Sequence, residues 1–224
     1  MQKARGCLRT CKGSAEYFQC RKNSTLSHDD VALRLRNLMR SSAQPVTVMT
    51  TCLSDTERTR HGAVLSSFTS VGLHPFPLVA FAIRRPSRLA EALHANRLAR
   101  PSSVHGIVNI LAEHQSEISK IFSRPDLHPH PFSYVSYGDH EGMPILEETV
   151  GALSCSIITS LPMTDEVLSN FGLSFTKPDE TVDLPNLPSE LFLARVIQVL
   201  SPQDNSNSLR RPLVYYQGGY TSIL

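Results

Sequence analysis

The chain has 224 residues, 41% of them hydrophobic, with a mean hydropathy of -0.14, so it can bury a core and has the composition of a soluble globular protein. Its net charge of +2 is uneven: residues 1–28 carry six Lys/Arg against Glu16 alone, a balance of +5, and the remainder sums to −3. A body without clustered positive charge is not built to bind nucleic acid, and no apolar run approaches the ~18 residues of a membrane span.

Residues 1–28 are Lys/Arg-rich, hydroxylated, almost free of acids and without a long apolar stretch. That pattern suits an organellar, mitochondrial-type presequence better than a secretory signal, with a disordered basic tail as the alternative. Three of the five cysteines (Cys7, Cys11, Cys20) lie there, and Cys52 and Cys155 lie in the body. None forms a Cys-x-x-Cys pair, so the expectation is reduced thiols in a reducing compartment, neither zinc knuckle nor redox dithiol.

From residue 29 the elements follow in order. Asp29-Asp30, then Val31, Leu35, Leu38 and Met39 at helical spacing with Arg40 in the last turn, predict an amphipathic helix over 29–41 whose apolar stripe packs on the core. The segment 45–51 alternates β-branched residues and predicts a strand, followed by a polar loop over 54–60. Strands are expected near 63–70 and 78–84, then a helix opened by Pro86-Ser87-Arg88. A strand over 104–111, a helix over 112–123 and a Pro/His-rich loop over 124–137 come next. His128-Pro129-His130-Pro131 lacks a carboxylate or cysteine to complete a ligand set, so no metal site is expected. A strand over 151–160 precedes a proline-broken segment, 161–189, read as an insertion with a short helix near 164–171. Strands over 190–200 and 212–220 close the chain. Many strands joined mostly by loops predict a mainly β fold, an antiparallel barrel carrying a few helices.

The most informative stretch is His61–Arg88, HGAVLSSFTSVGLHPFPLVAFAIRRPSR. Small hydroxylated residues beside a glycine turn let a ligand approach the backbone and hydrogen-bond a polar ring edge. Arginines at the end of the next apolar run suit a phosphate, because guanidinium offers paired donors. A ring edge followed by a phosphate is what flavin mononucleotide (FMN) presents. The same residues also fit ordinary turn chemistry and a solvated strand edge.

Taken in order, the segments resemble the flavin reductase-like family with the FMN-binding split-barrel fold. The resemblance is carried by Gly62 with Ser66-Ser67-Phe68 and Ser70-Val71, the Leu73–Pro75 turn, and the apolar strand ending in Ser87-Arg88. Four more segments match: QPVTVMTT at 44–51, Val108-Asn109-Ile110-Leu111 with Gln115 and Ile121-Phe122-Ser123, Gly142–Leu146 with Gly151–Cys155, and Pro212–Tyr216 with Gly219-Tyr220. The likeness spans about 29–224, interrupted at 161–189, and implies an antiparallel, Greek-key-like split β-barrel.

It further implies an NAD(P)H-dependent flavin reductase working as a homodimer, with FMN at the dimer interface (FAD as the alternative) and a partner oxygenase to receive the reduced flavin. Carried over residue by residue, Leu65, Ser66, Ser67, Phe68 and Ser70 would meet the ring and ribityl chain. Ser87 and Arg88, with Arg84, would take the phosphate, and Gln44 and Asn109 occupy further contact positions. No catalytic side chain is required, because hydride transfer to flavin is the cofactor's own chemistry. Two departures stand out. Leu89 replaces a threonine that would help hold the phosphate, and Ser189 replaces a histidine implicated in nicotinamide binding. The second opens an alternative, an FMN-binding protein that is non-catalytic or dedicated to one partner.

Overall fold

A computed structural model describes residues 27–53, 58–173, 188–201 and 210–223. The basic segment 1–26, residues 54–57 of the polar loop, residues 202–209 and the second half of the 161–189 insertion lie outside them. The chain divides into two units, Met1–Met39 and Arg40–Leu224. Within the first unit, helix α1 (His28–Arg40) begins as expected: Ser27 accepts the Asp30 N–H at 3.1 Å, and Asp29 and Asp30 fill the first turn. Val31, Leu35, Leu38 and Met39 are all exposed and belong to no core cluster among the described residues.

The second unit is mainly β. Its strands are β1 (Gln44–Pro45), β2 (Thr47–Cys52), β3 (Arg60–Leu65), β4 (Phe68–Gly72), β5 (Leu78–Arg84), β6 (Gly106–Ile110), β7 (Tyr137–His140), β8 (Met143–Leu146), β9 (Gly151–Pro162), β10 (Ser189–Leu200), β11 (Leu213–Tyr216) and β12 (Gly219–Ser222). Helices α2 (Arg88–Ala99), α3 (Ser116–Ser123) and the short α4 (Asp165–Ser169) interrupt them. Seven strands form one antiparallel sheet in the order β3-β2-β6-β9-β10-β5-β4.

Connectivity shows why this sheet must curl. Its two edge strands, β3 and β4, are joined by Ser66 and Ser67 alone. Seven flat strands would hold those edges about 29 Å apart at ~4.8 Å per step. Leu65 and Phe68 can be at most ~11 Å apart along three peptide links. Only a sheet rolled until its edges nearly meet satisfies both, which makes a half-open barrel with its seam at Ser66-Ser67.

Two expected strands needed correction. The one over 63–70 is two strands on opposite edges, because the chain leaves the ladder at Ser66-Ser67. The one over 212–220 is a hairpin, β11–β12, turned at Gln217 (φ 49°) and Gly218 (φ 85°), two positive-φ positions that suit a two-residue loop. The remaining boundaries agree to within a few residues.

The barrel interior follows the alternation of β5 and β10. Val79, Phe81 and Ile83 point inward from one, Phe192, Ala194 and Val196 from the other, and α2 adds Leu89, Ala90 and Leu93. Phe81 and Phe192, almost fully buried, stack at 5.5 Å between centroids; burying each ring contributes on the order of 2–3 kcal/mol. No helix among the described residues is long and apolar enough to cross a membrane.

Candidate functional site

The seam brings a set of polar groups to one end of the sheet. Leu65, buried at 5% exposure, ends β3; Ser66 and Ser67 follow, exposed and outside every ladder. The Ser67 hydroxyl accepts the Ala82 N–H at 3.0 Å and so ties the seam to β5. Phe68, half-buried against the core, pairs with Phe81, and exposed Ser70 pairs with Val79. Because β4 and β5 run antiparallel in this register, the Ser66-Ser67 corner lies at the end of β5 that carries Arg84.

At that end the chain turns into α2. Ser87 caps the helix, accepting the Ala90 N–H at 3.3 Å, which leaves the N–H groups of Arg88 and Leu89 at the helix start for an anion. Arg84 and Arg88 are exposed, and neither has an ion-pair partner among the described residues. Leu89, standing where a threonine hydroxyl would aid a phosphate, is 3% exposed and lies in the core. Anion binding at this turn would therefore rest on two guanidinium groups, backbone donors and the helix dipole.

The other expected residues behave differently. Thr47 pairs with Leu65, so Gln44, three residues before it and half-buried on β1, enters from the seam end. Asn109 is fully buried. Its amide nitrogen donates to the Val48 carbonyl (3.1 Å), Thr50 Oγ1 (3.0 Å) and the Ile107 carbonyl (3.3 Å), and its oxygen accepts the Leu146 N–H at 2.9 Å. Every polar atom of that side chain is engaged in joining β2, β6 and β8, which leaves none for direct contact with a ligand. Ser189 pairs with Arg84 at the start of β10, so it does stand beside the other polar groups.

One feature of this end escaped the sequence reading. Glu190 is buried at 3% exposure, and its carboxylate accepts hydrogen bonds from Arg85 and from Ser160 while contacting His94 Nε2 at 2.8 Å. Burial alone would raise this carboxyl; the Ser160 and Arg85 hydrogen bonds and the His94 charge outweigh it and hold it below the ordinary value. The signal was present in the strand pattern. Glu190 shares the inward parity of Phe192, Ala194 and Val196, and a carboxylate on an apolar face needs partners. The two body cysteines are both buried, and burial pushes the Cys155 thiol up to about 12, so it is packing material rather than a nucleophile.

The sequence profile of the flavin reductase like domain matches residues 39–224. An NADH-dependent flavin reductase of Rhodococcus sp. is 31% identical over 136 residues, which cover 61% of this chain and 71% of that protein. Among solved structures, a nitrilotriacetate monooxygenase component B homolog from Mycobacterium thermoresistibile superposes with a TM-score of 0.61 at 23% identity, covering 88% of this chain and 89% of that one. The styrene monooxygenase flavin reductase from Pseudomonas putida S12 gives a TM-score of 0.59 at 21% identity, covering 85% and 97%. At those identities the structures show a shared fold, and it is the split barrel expected from the sequence. The profile match and the Rhodococcus relative go further: the chain belongs to the flavin reductase-like family.

Proposed function

We propose that this protein is an NAD(P)H-dependent flavin reductase that binds FMN along the seam and supplies reduced flavin to a partner oxygenase. The observation that carries this reading is the convergence, in a member of this enzyme family, of open Ser66-Ser67 main chain with Arg84, Arg88 and the start of α2. Leu65 to Phe68, with Ser70, would hold the ring edge and ribityl chain. Arg84, Ser87 and Arg88 would hold the phosphate, which is why FMN is favoured over a flavin lacking an exposed terminal phosphate. Gln44 would contact the flavin from β1, and Asn109 would serve it indirectly by fixing β2 and β8. Bound flavin would supply hydride acceptance from the nicotinamide and onward delivery of the electrons. The chain's own task is to orient the ring, neutralise the phosphate and exclude water.

A homodimer belongs to the same reading, supported by the exposed apolar side chains of Leu191, Ile197 and Val199 on β10. So does an organellar leader over residues 1–28; a fluorescent fusion that stays cytosolic with or without that segment would remove it. The second reading, an FMN-binding protein without nicotinamide turnover, is favoured by Ser189, whose small hydroxyl cannot stack on a nicotinamide or reach as far as an imidazole does.

One experiment separates the readings: purification without added flavin, then absorbance spectra under anaerobic conditions before and after NADH and NADPH. Bleaching of the flavin bands by either nucleotide supports the reductase. Stoichiometric FMN that neither nucleotide bleaches supports the second reading, and failure to bind FMN at all would sink both.

A further inference from the structure

We propose that Glu190 is a positioning residue for the phosphate end of the flavin site, acting through Arg85 on the turn that carries Arg84, Ser87 and Arg88. The inference rests on FMN binding at the seam and adds to it a buried side chain from the opposite face of the sheet. Ser189 and Arg84 are directly paired, so both project from the outer face of the sheet. Glu190, the next residue on β10, turns to the inner side, and half-exposed Arg85, just past the end of β5, meets it there in an ion pair.

Arg85 is held twice by the same short segment. Its main-chain N–H donates to the Pro188 carbonyl at 3.0 Å, and its guanidinium donates to the Glu190 carboxylate. The far oxygen of that carboxylate meets His94 Nε2 from α2, and the Ser160 hydroxyl reaches it from β9. One carboxylate therefore ties together the end of β5, the start of β10, β9 and the helix whose first turn would receive the phosphate.

The consequence is geometric and electrostatic. Arg85 sits between Arg84 and the Ser87 cap, so fixing its direction inward fixes which way both neighbours face. Its charge is neutralised inside, so Arg84 and Arg88 are the arginines of this turn left to meet an anion outside. An ion pair with a buried carboxylate and a half-exposed guanidinium contributes little net stability compared with apolar packing, because desolvation of the carboxylate offsets most of the attraction. Orientation of the turn is the contribution that the geometry assigns to it.

Riboflavin supplies the discriminating probe, because it has the ring and ribityl chain of FMN but no phosphate. Dissociation constants for FMN and riboflavin would be measured on the full chain, on Glu190→Gln, on Arg85→Met and on the double variant. The wild type should prefer FMN. Each single variant should lose about tenfold of that preference, the loss of one charge-assisted hydrogen bond, with riboflavin affinity unchanged. The double variant should be no worse than either single one, since both break the same link. Preference retained in the single variants, or parallel weakening of both ligands, would overturn the proposal; the second pattern would mean a merely structural role. If Glu190→Gln does not fold, Arg85→Met, at the more exposed end of the pair, carries the same comparison. A wild type that does not distinguish FMN from riboflavin would overturn the phosphate site itself, and that result is visible without any variant.

Discussion

Two polar regions of the barrel put hydrogen-bonding side chains to opposite ends. Around β2, the side chains of Thr50, Thr51, Asn96, Asn109 and His105 are buried, and each is hydrogen-bonded to a neighbouring strand, helix or loop. Around the seam, Ser66, Ser67, Arg84 and Arg88 are exposed, and the two arginines lack charged partners among the described residues. The first region is closed and structural, because a buried polar group left unpaired costs about 1–3 kcal/mol. The second is open apart from the Ser67 hydroxyl, which accepts the Ala82 N–H, and exposed polar groups at a sheet break are where a ligand can bind by displacing only water. Burial separates the two regions, and with it how completely their polar groups are satisfied within the protein.

That contrast can be broken most severely at Asn109. Asn109→Leu removes three donor contacts and leaves the Leu146 N–H unpaired, so unfolding should become easier by about 3 kcal/mol, read from the urea midpoint. The surviving folded protein should keep its FMN affinity. A specific loss of flavin binding with unchanged stability would return Asn109 to the site.

The reverse outcome is expected at the seam. Arg88→Glu puts a negative charge beside the phosphate and should weaken FMN binding by about tenfold or more. Stability should hold, since the side chain is exposed and an acid in the first helical turn suits the dipole. Ser66→Trp, which blocks approach to the main chain, should act likewise. Unchanged FMN affinity in both would place the site elsewhere.

The smallest effect concerns acid. His105 accepts the Ile157 N–H on Nδ1 and so donates from Nε2 to the Arg100 carbonyl, each at 2.8 Å, an arrangement that requires the neutral ring. Burial lowers its pKa below the ordinary 6.5. The folded state thus resists protonation more than the unfolded chain does, and the stability this contributes is complete above pH 6.5. It is lost as pH falls through the lowered folded value. Denaturation midpoints followed downward from pH 7 should show a decline that His105→Gln flattens.

Much of this was legible beforehand, for identifiable reasons. Alternation of apolar residues revealed β5 and β10, Ser87 before Arg88 marked the start of α2, and local turn chemistry bounded most elements. The breaks inside 63–70 and 212–220 were not legible as breaks. Ser66-Ser67 carries no strong turn signal, and Gln217-Gly218 does so weakly, with glycine at only one of two positive-φ positions. The apolar face of α1 could be read as a stripe, but whether a stripe is covered depends on what else the chain brings to it.

Local pattern alone revealed most of the strands and helices, the serine pair, the arginines that follow it and the family, but not the β7–β8 hairpin or the breaks inside 63–70 and 212–220. Each feature so revealed is set by side-chain period, backbone propensity or the order of short motifs. It took the folded chain to show that two serines bridge opposite edges of one sheet, that Asn109 is closed while Ser66 is open, and that Glu190 reaches Arg85 from more than a hundred residues away. Those outcomes follow from ladder register and the inward or outward parity it imposes, and parity depends on which strands meet.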